Sequence, residues 1–144
     1  MGEDGNKSGV SGPLALALDL GGSWIRVALV TVDGDLLWKE RRPTVSQEGG
    51  EAVIARIDQL LQRGIAEVGQ REMAGIGMAL ASPVDPETGT MYSPPNNPGL
   101  DGVSLKALWE NKVDCPVVVG NDATLAALGE YRYGAGVGAH TLVY

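Results

Sequence analysis

The stretch LALALDLGGSWIRVALVTVDGDLLW, Leu14 to Trp38, decides the fold. Leu14–Leu20 is a short apolar run stopped by Gly21-Gly22, the pattern of a buried strand. Trp24–Val32 is a second apolar run, rich in β-branched residues. Asp33-Gly34 then leads into Leu36-Leu37-Trp38, and Asp-Gly between two apolar runs is a strong hairpin signal. Three consecutive strands follow from this, with Arg41-Arg42-Pro43 ending the third.

Beyond Glu51 the period changes. Val53, Ile57, Leu60, Leu61, Ile65 and Val68 form one stripe of an amphipathic helix, with Glu48 and Glu51 at its positive end and Gly69 as its stop. Met73–Leu80 reads as a fourth strand, broken at Pro83. Residues 83–102 hold five prolines among Asp, Asn and Gly, a long irregular connection of the kind that carries function in compact domains. Ser104 caps a short helix to Asn111, and Pro116–Val119 is a fifth strand. Asn121-Asp122 opens a helix through Ala123–Tyr131, whose alanines suit close contact with a sheet and whose stop is Gly134-Ala135-Gly136. His140–Tyr144 is expected to begin another strand. The order is β-β-β-α-β-α-β-α with that last run, a mixed α/β sheet without internal repeat.

A chain of 144 residues suits one hydrophobic core. Its net charge of −7, with no basic run, argues against a nucleic-acid partner. The single cysteine, Cys115, makes neither an internal disulfide nor a zinc site and reads as a half-buried hydrophobe, which suits a reducing cytoplasm. No apolar run approaches the roughly 18 residues that cross a bilayer, so no membrane partner is expected. Residues 1–12 are polar and glycine-rich, without signal-peptide order, and read as a disordered tail before a lobe spanning 13–144.

Three constellations carry the chemistry. In the first, Asp19 ends a buried strand, and Gly21, Gly22 and Ser23 offer backbone N–H groups and a hydroxyl to phosphate oxygens. An ordinary glycine turn beside a solvated aspartate would look the same. In the second, Asn121-Asp122 stands where a strand meets a helix, the place where ligands gather in open α/β sheets. A carboxylate there can accept a hydroxyl proton and an amide can orient the substrate, although Asn and Asp also serve simply as helix caps. In the third, Pro94-Pro95-Asn96-Asn97-Pro98-Gly99 is either a rigid hydrogen-bonding surface for a polyhydroxylated ligand or a turn with purely conformational needs. His140 has no partner pattern, Trp24, Trp38 and Trp109 read as core or edge packing, and Arg56, Arg63 and Glu67 read as a solvated helix face.

Taken in order, the three segments resemble the amino-terminal lobe of the ROK family of bacterial sugar kinases and related repressors. Asp19-Leu-Gly-Gly-Ser-Trp-Ile-Arg26 is similar to the family's first phosphate motif, Asp-x-Gly-Gly-Thr-x-x-Arg. Pro83–Gly89 with Pro95-Asn96 and Pro98-Gly99 resembles its sugar loop. Asn121-Asp122-Ala123, Ala126–Glu130 and Gly134–Gly136 resemble its catalytic segment. The resemblance covers residues 14–144 and implies a ribonuclease-H-like lobe of the actin and hexokinase kind. It also implies an ATP-dependent hexose kinase of glucokinase type, with a small-molecule sugar as partner and a homo-oligomeric parent.

By the same resemblance Asp122 is the catalytic base, and Asn96, Asn121 and Asp122 bind the sugar. Gly21, Gly22 and Ser23 hold phosphate, and Asp19 sits near Mg²⁺, through water. The family's Gly-x-Pro-Gly-like turn is replaced here by Ala79-Leu80-Ala81-Ser82, whose side chains can reshape the sugar pocket. The family's second phosphate motif, its Glu-x-Gly-His motif and its zinc site do not occur in this chain, so the 144 residues alone are expected to lack kinase activity. A lobe without its partner is also expected to expose apolar surface, and so to be weakly stable and to dimerise or aggregate. Two other functions are weighed: a sugar-sensing regulator, for which the short segment before Leu14 disfavours DNA binding, and a non-catalytic interaction protein.

Overall fold

A computed structural model describes residues 12–144. The expected tail therefore lies outside the described residues but for its last member. The elements are β1 (Leu14–Leu20), β2 (Trp24–Thr31), β3 (Leu36–Pro43), α1 (Gly50–Val68), β4 (Met73–Leu80), α2 (Leu105–Glu110), β5 (Val117–Asn121) and α3 (Asp122–Tyr133). Short 3₁₀ turns stand at Ser46–Glu48 and Pro98–Leu100. The five strands form one mixed sheet in the order β3-β2-β1-β4-β5. β1, β2 and β3 make the antiparallel meander read from Leu14–Trp38, while β4 and β5 run parallel to β1.

The strict alternation of β1 sorts its side chains. Leu14, Leu16, Leu18 and Leu20 are buried on one face with Ile25, Val27, Leu29, Ile76, Met78, Leu80, Val117 and Val119. The stripe of α1 covers them with Val53, Ile57, Leu60 and Leu61, and α2 adds Leu105 and Trp109. Each leucine so covered contributes about 1.5–3 kcal/mol. Gly64 lets α1 lie close: a Cβ there would stand 2.7 Å from a Leu16 methyl and 3.3 Å from Trp38.

Two expectations fail. His140–Tyr144 is not a strand: it pairs with no other segment among the described residues, and Val143 and Tyr144 are 91% and 73% exposed. An apolar run becomes a strand only where a sheet edge accepts its backbone, and this one meets none. The alanines of α3 do not bring that helix down on the sheet, for no residue of α3 is buried. It touches β5 and β4 with its first turns, where Leu125 sits against Gly120, and its Leu128, Tyr131 and Tyr133 remain exposed. Apolar surface is thus displayed as expected. Among the described residues no helix is long and apolar enough to cross a membrane.

Candidate functional site

The register of the sheet brings the three sequence constellations together. Leu20 stands opposite Leu80, and Leu80 opposite Asn121, so the carboxyl ends of the parallel strands β1, β4 and β5 finish in one row. From that row leave the Gly21-Gly22-Ser23 turn, the Ala81-Ser82-Pro83 start of the long loop, and the Asn121-Asp122 start of α3.

The glycine turn is held from behind. The Gly21 N–H donates to the Trp24 carbonyl at 3.0 Å, closing the β1–β2 hairpin. Thr44, fully buried just past β3, donates its hydroxyl to the Gly21 carbonyl and its N–H to the Ser23 carbonyl, both at 2.9 Å. Arg56 of α1 donates to the Thr44 carbonyl at 2.9 Å and pairs with Glu48. Arg56 is therefore no solvated-face residue: it ties the helix to the turn. Sequence reasoning missed this pair, because nothing local distinguishes Thr44 or Arg56 from their neighbours. Gly21 and Gly22 do not adopt positive φ. Gly22 is required by proximity instead, since a Cβ there would lie 2.7 Å from the Asn96 Cβ. The turn and the Asn96 loop are thus in direct contact.

The loop is more ordered than its composition suggests. Val84 bridges Met91 and Thr90 bridges Ser104, while Met91 and Leu100 anchor it in the core. The Asp85 carboxylate accepts the Glu87 N–H at 2.8 Å and the Thr88 N–H at 3.4 Å. Those bonds, that of Glu87 foremost, hold the Asp85 carboxyl below the usual carboxylate range. Gly50 at the head of α1 meets Gly99 backbone to backbone, with no room for a side chain at either position. Asn97 is buried and its Oδ1 has no hydrogen-bond partner among the described residues, an acceptor that a water or ligand hydroxyl would satisfy.

At the head of α3 the helix cap is Asn121. Its Oδ1 accepts from the Ala123 and Thr124 N–H groups at 3.1 and 3.3 Å, and its Nδ2 donates to the Ser82 carbonyl at 3.2 Å. One amide hydrogen is left for a ligand. Because Asn121 caps, Asp122 is spared that duty: only its Oδ1 is engaged, by the Ala123 N–H at 2.9 Å.

Two open hollows meet at Asp122. One, of about 460 Å³, is lined by Asp19, Ala79, Asp122 and the inner side of α3, with Tyr144 at its border. The other, of about 540 Å³, is lined by Ala81, Ser82, Pro95, Asn96, Asn121 and Asp122. Asp122 is thus the shared wall. Ala81 and Ser82, the departure from the family's glycine-rich turn, do line the second hollow, and the Ser82 hydroxyl is turned inward onto the Pro83 carbonyl. Asp19 is half-exposed, with one oxygen 2.6 Å from Arg26. Cys115 lies outside the site; burial, then the Asp114 charge, push its thiol up, away from nucleophile character.

Comparisons with known proteins agree with this architecture. The model of the ROK family matches residues 15–144. The glucokinase of Halalkalibacterium halodurans is 32% identical over 130 residues, covering 89% of this chain and 39% of that protein. The crystal structure of a ROK family glucokinase from Streptomyces griseus, in complex with glucose and AMPPNP, superposes with a TM-score of 0.75 at 33% identity, over 87% of this chain and 38% of that one. The xylose repressor of Caldicellulosiruptor bescii is 25% identical over 131 residues, covering 90% of this chain and 33% of that protein. The chain therefore spans about two-fifths or less of these relatives. The fold is that of the ribonuclease-H-like lobe of the actin and hexokinase kind.

Proposed function

This chain belongs to the ROK family, and from that premise we propose that it supplies the sugar-binding side and the base of an ATP-dependent hexose kinase. The observation that carries the reading is Asp122, whose carboxylate borders both hollows. A hexose in the hollow of Asn96 and Asn121 presents a hydroxyl to Asp122, which takes its proton as the oxygen attacks the γ-phosphorus of ATP in the other hollow, the bond from that phosphorus to the β,γ-bridging oxygen breaking to release ADP. Phosphoryl transfer asks the protein mainly for position and charge neutralisation, with a base to orient the nucleophile. The N–H groups of Gly22 and Ser23 and the Ser23 hydroxyl hold phosphate oxygens, while the Gly21 N–H is spent on the Trp24 carbonyl and Gly21 serves through its close backbone, on a turn already fixed by Thr44.

Among the described residues no three metal-ligating side chains cluster. One carboxylate is nevertheless what a magnesium ion that keeps its waters and leans on phosphates requires, and Asp19 has an oxygen unspent by Arg26. When bound, that ion neutralises developing phosphate charge. Ala81 and Ser82 narrow the sugar hollow and set which hexose enters. By itself the 144-residue chain turns over no hexose.

The test is a chimera in which this chain replaces the matching part of the Streptomyces griseus glucokinase. Glucose phosphorylation from MgATP is expected, and Asp122→Asn is expected to lower kcat by about 10²–10⁴ while sparing glucose affinity. A folded, glucose-binding chimera without turnover would overturn catalysis. A second reading, a sugar-sensing regulator, is supported by the match to the xylose repressor. It would be favoured if Asp122→Asn left both sugar affinity and biological output unchanged.

A further inference from the structure

β3 forms one edge of the sheet, and among the described residues nothing pairs with its outer side. Backbone groups of an antiparallel strand point alternately to its two sides. Two residues set the phase. The Thr44 N–H donates to the Ser23 carbonyl, toward β2, and Pro43, which has no N–H to lose, stands in the outward phase that an edge strand permits it. Lys39 and Arg41 share the phase of Pro43, so their N–H and C=O groups face outward, unpaired with other backbone among the described residues.

The side chains of the same two residues lie on the open face of the sheet, Arg41 directly opposite Arg26 and Lys39 opposite Ala28. Arg26, Lys39, Glu40 and Arg41 border a cleft of about 350 Å³. Arg41 stacks over Trp24, 4.4 Å from the ring centroid, and Arg26 holds Asp19. Among the described residues neither Lys39 nor Arg41 has a carboxylate partner. The Glu40 carboxylate is turned instead to Arg42 and to Arg63 of α1. Charges on an edge strand keep copies of it from pairing, because like charges placed opposite repel. Here they exclude a second β3 and admit an acidic strand.

We propose that the β3 edge is a docking surface for an extended acidic segment of another protein, which adds a strand outside β3. Its backbone pairs with the outward N–H and C=O groups of Lys39 and Arg41. Two carboxylates at alternate positions then fall on the open face against these side chains, where the Arg41 guanidinium takes one of them bidentately. The residue between them falls on the α1 side beside Glu40, which repels an acid there. The segment that fits therefore alternates acidic with non-acidic residues. None of the cleft residues lines either hollow at Asp122, so docking here is independent of the kinase reading.

The experiment titrates a peptide alternating glutamate with threonine into the 144-residue protein, read by calorimetry and by amide hydrogen exchange. Saturable binding is expected, with the Lys39 and Arg41 amides gaining protection while those of Glu40 and Arg42, already turned to β2, change little. Lys39→Glu and Arg41→Glu are each expected to weaken binding about tenfold. Lys39 has no partner to lose, so its variant keeps the test decisive if Arg41→Glu disturbs Trp24 and the fold. Lys112→Glu, an equal charge change at the Asp58 pair of α1, is expected to leave binding unchanged. A peptide of the same composition with its glutamates in one run is expected to bind more weakly; equal binding would mean general charge attraction and overturn the proposal. Absence of binding overturns it too. So does protection of the same amides without peptide, whether it rises with protein concentration, as for a second copy, or is lost on removing residues 1–11, as for the chain's own Glu3 and Asp4.

Discussion

On one face of the sheet Leu14, Leu16, Leu18 and Leu20 are closed off by α1; on the other, Ala15, Ala17 and Asp19 alternate with them and stay open to solvent in part. The same division runs through β2 and β4, where Ile25, Val27, Leu29, Ile76 and Met78 face inward and Arg26, Ala28, Gly75 and Gly77 outward. The difference teaches that stability and chemistry are placed apart. Large side chains on one face complete a core with the chain's own helices. Small ones on the other bury little, so α3 touches down only at its start, and the candidate site occupies the rim where the faces meet.

The contrast is broken most directly by truncation. Leu16→Ala, on the covered face, is expected to destabilise by about 2–5 kcal/mol, whereas Val118→Ala, 62% exposed on the open face, is expected to stay within about 0.5. Denaturant midpoints at constant slope measure both. Comparable losses at the two sites would refute the division.

A subtler version enlarges instead of deleting. Gly64→Leu drives a side chain into Leu16 and Trp38 and is expected to destabilise by about 1–3 kcal/mol. In a Leu16→Ala background the penalty is expected to shrink, with a coupling of about 0.5–3 kcal/mol in a double-mutant cycle. Strict additivity would mean that the α1–β1 approach is not limited by this contact.

At the rim the effects are smaller. Asn121→Ala removes the cap of α3 and is expected to lower stability by about 0.5–2 kcal/mol, while Asn121→Asp, which keeps the accepting oxygen, is expected to change it little. Equal losses would point to the Ser82 bond, which only the amide can donate, as the part that matters.

How far the sequence discloses all this follows the range of each interaction. The meander, α1 and its stripe, β4, β5 and the Ser104 cap are local patterns, and all stand where periodicity and turn chemistry put them. The glycine turn and the Asn121-Asp122 pair were legible because each closes a strand, and parallel register brings strand ends together. Thr44–Gly21, Gly22–Asn96 and Gly50–Gly99 were not legible, since each joins segments distant in sequence through backbone or a single hydroxyl and leaves no periodic trace. The run His140–Tyr144 misled because apolar character alone does not supply a strand partner. Alanines in α3 misled similarly, for they permit close packing without compelling it.

The smallest expected effect concerns the loop that presents Asn96. Asp85 is accessible to water, yet its carboxyl is held below the ordinary range by the Glu87 N–H first and then by Thr88, against a modest opposing effect of burial. With the folded value below the unfolded one, its contribution is present above the unfolded value and disappears as pH falls through the folded one. A carbon-detected titration should show Asp85 ionising below the usual aspartate range, with the Glu87 amide shift moving at the same midpoint. Asp85→Asn keeps the accepting oxygen, so the loop should persist while that pH response vanishes. An ordinary or raised value for Asp85 would mean that these amides do not fix the loop. In either case the melting of the α1-covered face should not respond, because Asp85 belongs to the rim and contributes nothing to that core.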